Sequence, residues 1–117
     1  MSNIADKQAA MRDKVSVLAI RFLQRCVNDM VSGRKLLDKL KGGDASAFKD
    51  LEQLAHRIVG TGSSLGFESL SIRAVVVERF AEAQFPSGLP DPEAIARLGE
   101  FLAQLESEID LLVQARR

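Results

Sequence analysis

Residues 51–66 read LEQLAHRIVGTGSSLG, a segment that combines a helical pattern with three glycines. Its apolar residues recur at three- and four-residue steps, which is the spacing of one helix face: Leu51, Leu54, Ala55, Ile58 and Leu65. Gly66 interrupts this pattern. Gly60 and Gly62 stand inside it, and each costs about 1 kcal/mol relative to alanine in a helix interior. Glycines retained at such a cost usually have a packing or functional reason.

His56 is predicted to point into solvent from this helix. At about 100° per residue it lies nearly opposite Leu54 and Ile58. Gly60, one turn further on, removes a side chain that would otherwise crowd the imidazole. Gly62 lies toward the core side, so we predict close packing against another helix there. The other residues of the outer face are Lys49, Glu52, Gln53, Val59 and Ser63.

The segments before this helix are helical as well. We predict a short first helix at about 4–10 and a long helix at about 13–40, which Gly42-Gly43 ends. Asp44 or Ser46 is predicted to cap the next helix. Gly33 lies on the apolar face of the long helix, where it either permits close helix approach or is a tolerated weak spot. That face comprises Val15, Ala19, Phe22, Cys26, Met30, Leu37 and Leu40, widened by Leu18, Leu23 and Val27.

Two more helices follow. The first is predicted at about 67–84, and residues 85–90 form a loop because they contain two prolines and a glycine. Asp91-Pro92-Glu93 then has the pattern of a helix start, with an N-cap, a proline in the first turn and an acid after it. The last helix carries a heptad-like apolar stripe: Ile95, Leu98, Leu102, Leu105, Ile109 and Leu112.

Four amphipathic helices with short connections predict an all-α fold. We expect an antiparallel up-down-up-down four-helix bundle with a short extra N-terminal helix. The length of 117 residues suits one domain, so residues 1–117 are predicted to form a single unit.

Composition excludes several classes of function. The 16 Lys and Arg are balanced by 16 Asp and Glu, which argues against a nucleic-acid binder. One His and one Cys exclude an intramolecular disulfide and make a zinc site of the usual ligands improbable, so we predict no metal site. We find no segment apolar enough to span a membrane and no secretory signal at the N-terminus. The expected compartment is the cytoplasm.

The segment around His56 resembles the signature of histidine-containing phosphotransfer (HPt) domains. The matching residues are Leu54-Ala55-His56, the run from Gly60 to Gly66, Leu70, and Val77-Glu78. Within that run, Gly62 and Gly66 are identified as structural glycines of the motif. A four-helix bundle with the histidine midway along its second long helix is also the plan of this family.

One position departs from the family pattern. The family commonly has Lys three residues after the histidine, where it helps to hold the phosphoryl oxygens, and this chain has Val59. Arg57 lies about 100° around the helix, and Lys49 lies two turns away, about 10 Å along the axis. Neither is well placed to replace that lysine. Val59 therefore either changes the lifetime of the phosphorylated state or the partner range, or extends an apolar docking surface.

The resemblance implies a phosphoryl carrier rather than a turnover enzyme. His56 would accept a phosphoryl group from the aspartate of a receiver domain and pass it to another receiver. The implied partners are response-regulator receivers or a hybrid histidine kinase, docking on Glu52, Gln53, Val59, Gly60, Ser63 and Ser64. The resemblance implies no cofactor in this chain, with Mg²⁺ on the receiver only. We expect a monomer, because a relay intermediate must leave its histidine accessible.

Two other hypotheses remain at this point. The first is a non-catalytic docking module that binds a receiver or kinase without carrying phosphate, suggested by Val59. The second is a small hydrolase or phosphatase that uses His56 with Glu52 or Ser63, although the sequence marks no substrate pocket.

Overall fold

The structure, a computed structural model, describes residues 3–85 and 90–116. These residues form four helices and no strand: α1 (Asn3–Lys41), α2 (Ala47–Ser64), α3 (Glu68–Ala83) and α4 (Pro92–Gln114). Each helix packs against its neighbours in the chain, and α1 also packs against α4, which closes the bundle. The prediction of an all-α four-helix bundle is confirmed.

The predicted apolar faces form one core at the centre of the bundle. Phe48, Leu51, Leu54 and Ile58 of α2 are buried, and so are the stripe residues of α4 from Ile95 to Ile109. Gly33 of α1 is buried against Leu102, whose Cδ2 would lie 3.1 Å from an added Cβ. Close helix approach at Gly33 is therefore the correct interpretation of that glycine.

The first helix differs from its prediction, because the described residues 3–41 are not divided into two helices. The predicted segments 4–10 and 13–40 are one continuous helix of 39 residues. Residues 10–13 contain neither Gly nor Pro and include the good helix formers Ala, Met and Arg, so nothing interrupts the backbone hydrogen bonding.

The continuous α1 extends well beyond the other helices, which have 16 to 23 residues. Its residues 3–18 are all exposed. The prediction that Val15 and Leu18 lie in the core is therefore wrong, because 46% and 52% of their surface is accessible. The apolar stripe continues into this extension, but α2, α3 and α4 do not cover it. Val27 is exposed too, whereas Leu23 is buried as predicted.

Two glycines with positive φ end the first two helices. Gly43 (φ +96°) and Gly66 (φ +83°) adopt the left-handed conformation that side chains disfavour. After α2, Phe67 N–H donates to the Gly62 carbonyl (2.8 Å) and Gly66 N–H to the Ser63 carbonyl (3.2 Å). This pair of bonds is a Schellman motif, which satisfies the last carbonyls and fixes the sharp turn into α3.

The starts of α2 and α4 differ in their capping. Asp91 caps α4 as predicted, its carboxylate accepting from the Glu93 N–H at 3.1 Å with Pro92 in the first turn. Ser46 is the N-cap of α2 but makes no side-chain cap bond. Instead the Asp44 carboxylate accepts from the Ser46 hydroxyl and from the Ser46 backbone N–H, and these two bonds lower the pKa of Asp44. Part of the predicted loop, residues 86–89, lies outside the described residues.

The described residues contain no helix that could cross a membrane. None of the four helices combines the length and the apolar character that crossing a bilayer requires.

Cys26 gives a first test of the packing. It is fully buried in α1, and burial, reinforced by Asp29 and opposed by Arg25, raises the pKa of its thiol to about 12. Since the thiolate is the reactive form, we expect Cys26 to resist a disulfide reagent such as DTNB at pH 8 in the native protein. It should react rapidly once urea unfolds the chain. Rapid labelling without denaturant would contradict the burial of this side chain.

Candidate functional site

His56 occupies the solvent-facing side of α2, midway along the helix. Leu54 and Ile58 beside it point into the core, with 3% and 1% of their surface accessible. The His56 side chain itself is 72% exposed. The predicted orientation is confirmed, and it follows from the apolar spacing of α2 alone.

The imidazole is held from one side by a residue of α3. His56 Nδ1 is hydrogen-bonded to Glu78 Oε2, and the Glu78 side chain is only 17% exposed. An ionised carboxylate only accepts hydrogen bonds, so Nδ1 carries the ring hydrogen. The lone pair of a neutral ring then resides on Nε2, the other nitrogen. Glu78 therefore fixes both the orientation and the tautomer of His56.

A second carboxylate completes a cluster around the imidazole. Glu52 lies one turn before His56 on α2 and is half-buried. Glu52, His56 and Glu78 each offer one potential ligand atom. These three atoms lie within 4.8 Å of one another, a spacing that suits a metal ion. Sequence reasoning placed Glu52 on this face but found no ligand cluster. Glu78 is 22 residues from His56, and only the close packing of α3 on α2 brings it there.

The other side of His56, toward α1, is open. No atom beyond the helix itself lies within 4 Å of the position that a Gly60 Cβ would occupy. Ser64 Oγ donates to the Gly60 carbonyl at 3.0 Å, so this hydroxyl is used within the helix. A groove begins here and runs to the exposed part of α1. Its lining comprises Leu18, Arg21, Phe22, Arg25, Gly60, Thr61, Ser64 and Leu65.

The remaining predicted surface residues surround the histidine without bonding to it. Gln53 and Ser63 are exposed, whereas Val59 is half-buried and packs against the core. The hydrogen-bond partner of His56 is Glu78, and neither Glu52 nor Ser63 pairs with it. The described residues thus give the hydrolase hypothesis no Ser–His pair.

Gly62 serves packing, as its position on the core side predicted. It is buried, and an added Cβ would lie 2.8 Å from Ser71 Oγ, 3.3 Å from Leu70 Cδ2 and 3.5 Å from Phe22 Cζ. The absence of a side chain lets α1 and α3 both approach α2 at a point less than two turns after His56.

Charges are distributed unequally around the histidine. Glu52 and Glu78 lie on the α3 side. On the α1 side, burial raises the pKa of Asp29, while the nearby Arg57 and Arg25 act in the opposite direction. The imidazole thus lies between an acidic flank and a flank that contains arginines.

Comparison with known proteins gives one finding. A family model described as "Hpt domain" matches residues 17–115, which covers most of the chain and includes all the residues of this site. No curated protein and no solved structure matches the chain significantly. The matched range begins inside α1, so most of the exposed extension precedes it.

Proposed function

Because the chain belongs to the Hpt domain family, we propose that it is a phosphoryl carrier of a phosphorelay, with His56 as the residue that carries the phosphoryl group. The observation that supports this most directly is the state of the imidazole. It is exposed, held through Nδ1 by Glu78, and flanked by the open backbone at Gly60. A nucleophile that must meet the active site of another protein needs this accessibility.

The proposed reaction uses Nε2 as the nucleophile. Its lone pair attacks the phosphorus of an aspartyl phosphate on a receiver domain. The new N–P bond forms while the bond from phosphorus to the aspartate oxygen breaks, and the aspartate leaves as a carboxylate. Transfer to a second receiver reverses these steps, so nothing is consumed by the carrier. Catalysis of such a transfer needs mainly positioning and charge stabilisation.

Glu78 supplies positioning in this scheme. As Nε2 forms its bond to phosphorus, positive charge develops on the ring. The Nδ1 hydrogen remains between the ring and the Glu78 carboxylate, which stabilises that charge and prevents the ring from turning. Glu78 does not touch the phosphoryl group, so it is a positioning residue.

The proposed docking surface extends from His56 over Gly60 and the groove toward α1. Gln53, Gly60 and Ser64 provide exposed positions on α2, and Leu18 adds apolar surface from α1. Arg21 and Arg25 in the same groove favour an acidic rim on the partner. Glu52, Val59 and Ser63 form the opposite edge of this surface.

The partners in this proposal are receiver domains of response regulators or of a hybrid histidine kinase. The receiver brings its own Mg²⁺ for the transfer, and the carrier acts as a cytoplasmic monomer with His56 uncovered. A direct test is transfer of radiolabelled phosphoryl from a phosphorylated receiver to the purified chain. Label that is lost in acid and survives base would identify phosphohistidine, and absence of label with every receiver of the source organism would overturn the proposal.

Glu78→Gln tests the positioning role. The amide can accept or donate, so it no longer selects the Nδ1–H tautomer or stabilises the developing charge. We expect phosphoryl acceptance to slow by at least about tenfold. Long-range ¹H–¹⁵N spectra of His56 should show the loss of tautomer preference, which a merely structural effect would not produce. Glu68→Gln, an exposed change on the same helix, is the control; equal rates in the two variants would contradict the role of Glu78.

Gly60→Arg tests the docking surface. Nothing lies within 4 Å of the new Cβ, so the fold should be retained, as measured by circular dichroism. The long side chain should obstruct the approach to His56 and slow transfer by at least about tenfold. Ala103→Arg adds the same side chain at an exposed position of α4 and should leave the rate unchanged. Unimpaired transfer by Gly60→Arg would place the docking surface elsewhere.

A further inference from the structure

Phosphoryl transfer as proposed uses His56 and Glu78, and it gives the Glu52 carboxylate no part in the transfer step itself. Yet Glu52 is half-buried and contributes an oxygen to a cluster whose three ligand atoms lie within 4.8 Å of one another. Glu52 and His56 are separated by one helical turn and so project from the same side of α2. Glu78 comes from α3, the helix packed against α2, so the three groups converge from a rigid frame.

The charge of this cluster is not compensated by the protein. In the described parts of the chain, neither Glu52 nor Glu78 forms an ion pair with a Lys or Arg side chain. Val59, on the same side of α2 one turn beyond His56, is apolar and half-buried. Two carboxylates near a neutral imidazole therefore leave a local negative charge, which a cation at their centre would relieve.

We propose that Glu52, His56 and Glu78 bind a divalent transition-metal ion such as Zn²⁺, and that the bound ion prevents His56 from accepting a phosphoryl group. One imidazole nitrogen and two carboxylate oxygens are ordinary zinc ligands, and three protein ligands leave a position for water. The imidazole selects ions such as Zn²⁺ or Cu²⁺ over Mg²⁺, which prefers oxygen ligands. The metal site stands by itself, and its inhibitory effect rests on the proposed function.

Inhibition follows from the tautomer. The ion takes the place of the hydrogen between Nδ1 and Glu78 and binds the Nδ1 lone pair. A neutral ring keeps one hydrogen, which then resides on Nε2. Nε2 thereby loses the lone pair with which it would attack phosphorus. The ion therefore inactivates the nucleophile without covering its exposed edge.

The binding test uses the purified, untagged chain and zinc sulfate alone. His56 is the one histidine of the sequence, so long-range ¹H–¹⁵N spectra report on a single imidazole. We expect saturable zinc binding, with Nδ1 changing to a metal-bound nitrogen and the ring hydrogen moving to Nε2. Absence of binding, or coordination through Nε2, would overturn the proposal.

Matched variants test the ligand set. Glu52→Gln and Glu78→Gln should each weaken zinc binding by at least about tenfold. Asp50→Asn removes an acid from the opposite side of α2 and should bind zinc like the wild type. Val59→Lys brings an ammonium group beside the cluster and should also weaken binding. Unchanged affinity in either Glu variant would remove that carboxylate from the ligand set and refute the three-residue site.

A transfer assay then tests the inhibition. With a phosphorylated receiver and excess Mg²⁺, zinc should suppress labelling of the wild type. The labelling of Glu52→Gln is measured with and without zinc in the same way. Zinc should reduce it much less than it reduces the labelling of the wild type. Equal sensitivity would assign the inhibition to the receiver and overturn this part of the proposal. Zinc binding in a chain that accepts no label from any receiver would instead refute the phosphotransfer function and leave the metal site intact.

Discussion

His56→Gln is expected to abolish phosphoryl acceptance completely. Glutamine offers no ring nitrogen that can attack phosphorus, and no other histidine exists in the chain to replace it. The fold should not change, because the side chain is 72% exposed and the glutamine amide can still donate to Glu78. We expect the free energy of unfolding to remain within about 0.5 kcal/mol of the wild type. Radiolabel transfer and urea denaturation measure the two effects.

The same variant separates a carrier from a docking module. A protein that only binds receivers should keep its partner and its cellular effect when His56 becomes Gln. A carrier should keep the partner and lose the effect. Label on His56→Gln would place the phosphoryl group on another residue, and unfolding of this variant would contradict the exposed position of His56.

Gly62→Val should cause the largest loss of stability among the substitutions considered. Its Cβ would meet Ser71, Leu70 and Phe22 at 2.8 to 3.5 Å, and two further carbons have to fit at the junction of three helices. Overpacking of this kind costs about 2 kcal/mol or more. Gly60→Val makes the same change two residues earlier on the same helix, where nothing lies within 4 Å. It should be neutral or slightly stabilising, since valine is a better helix former than glycine.

Urea denaturation of the two valine variants measures this difference directly. The identical substitution on one helix cancels the intrinsic propensity of valine, so the difference between the variants reports the tertiary environment alone. Similar free energies of unfolding would contradict the close packing at Gly62. Loss of stability in Gly60→Val would contradict the open surface beside His56.

Most of the fold follows from local patterns in the sequence. The spacing of apolar residues predicts the helices, and Gly43, Gly66 and Asp91 mark helix ends through backbone conformation and capping. The main difference between prediction and structure lies in α1, which is one helix of 39 residues rather than a short helix followed by a long one. Periodicity identifies a face that should be covered, but whether another helix reaches Val15 and Leu18 depends on where the other three helices end.

The sequence predicts only those features of the site that lie within a single helix. His56 and Gly60 lie on the helix that carries the pattern, so their exposure follows from the angle around its axis. Glu78 was visible only as part of the motif resemblance, and its contact with His56 spans 22 residues. The groove toward Leu18 and Arg21 joins two helices and has no signature in either alone.

The sequence by itself determined which side of each helix is apolar, where the helices end, and that the one histidine is exposed beside a glycine. These are local properties, set by helical periodicity and backbone conformation. Only the tertiary structure decided what surrounds that histidine: Glu78 on Nδ1, Glu52 completing an acidic cluster, and an uncovered extension of α1 bordering a groove. The reason is that contacts between helices depend on their relative register, which periodicity within one helix does not specify.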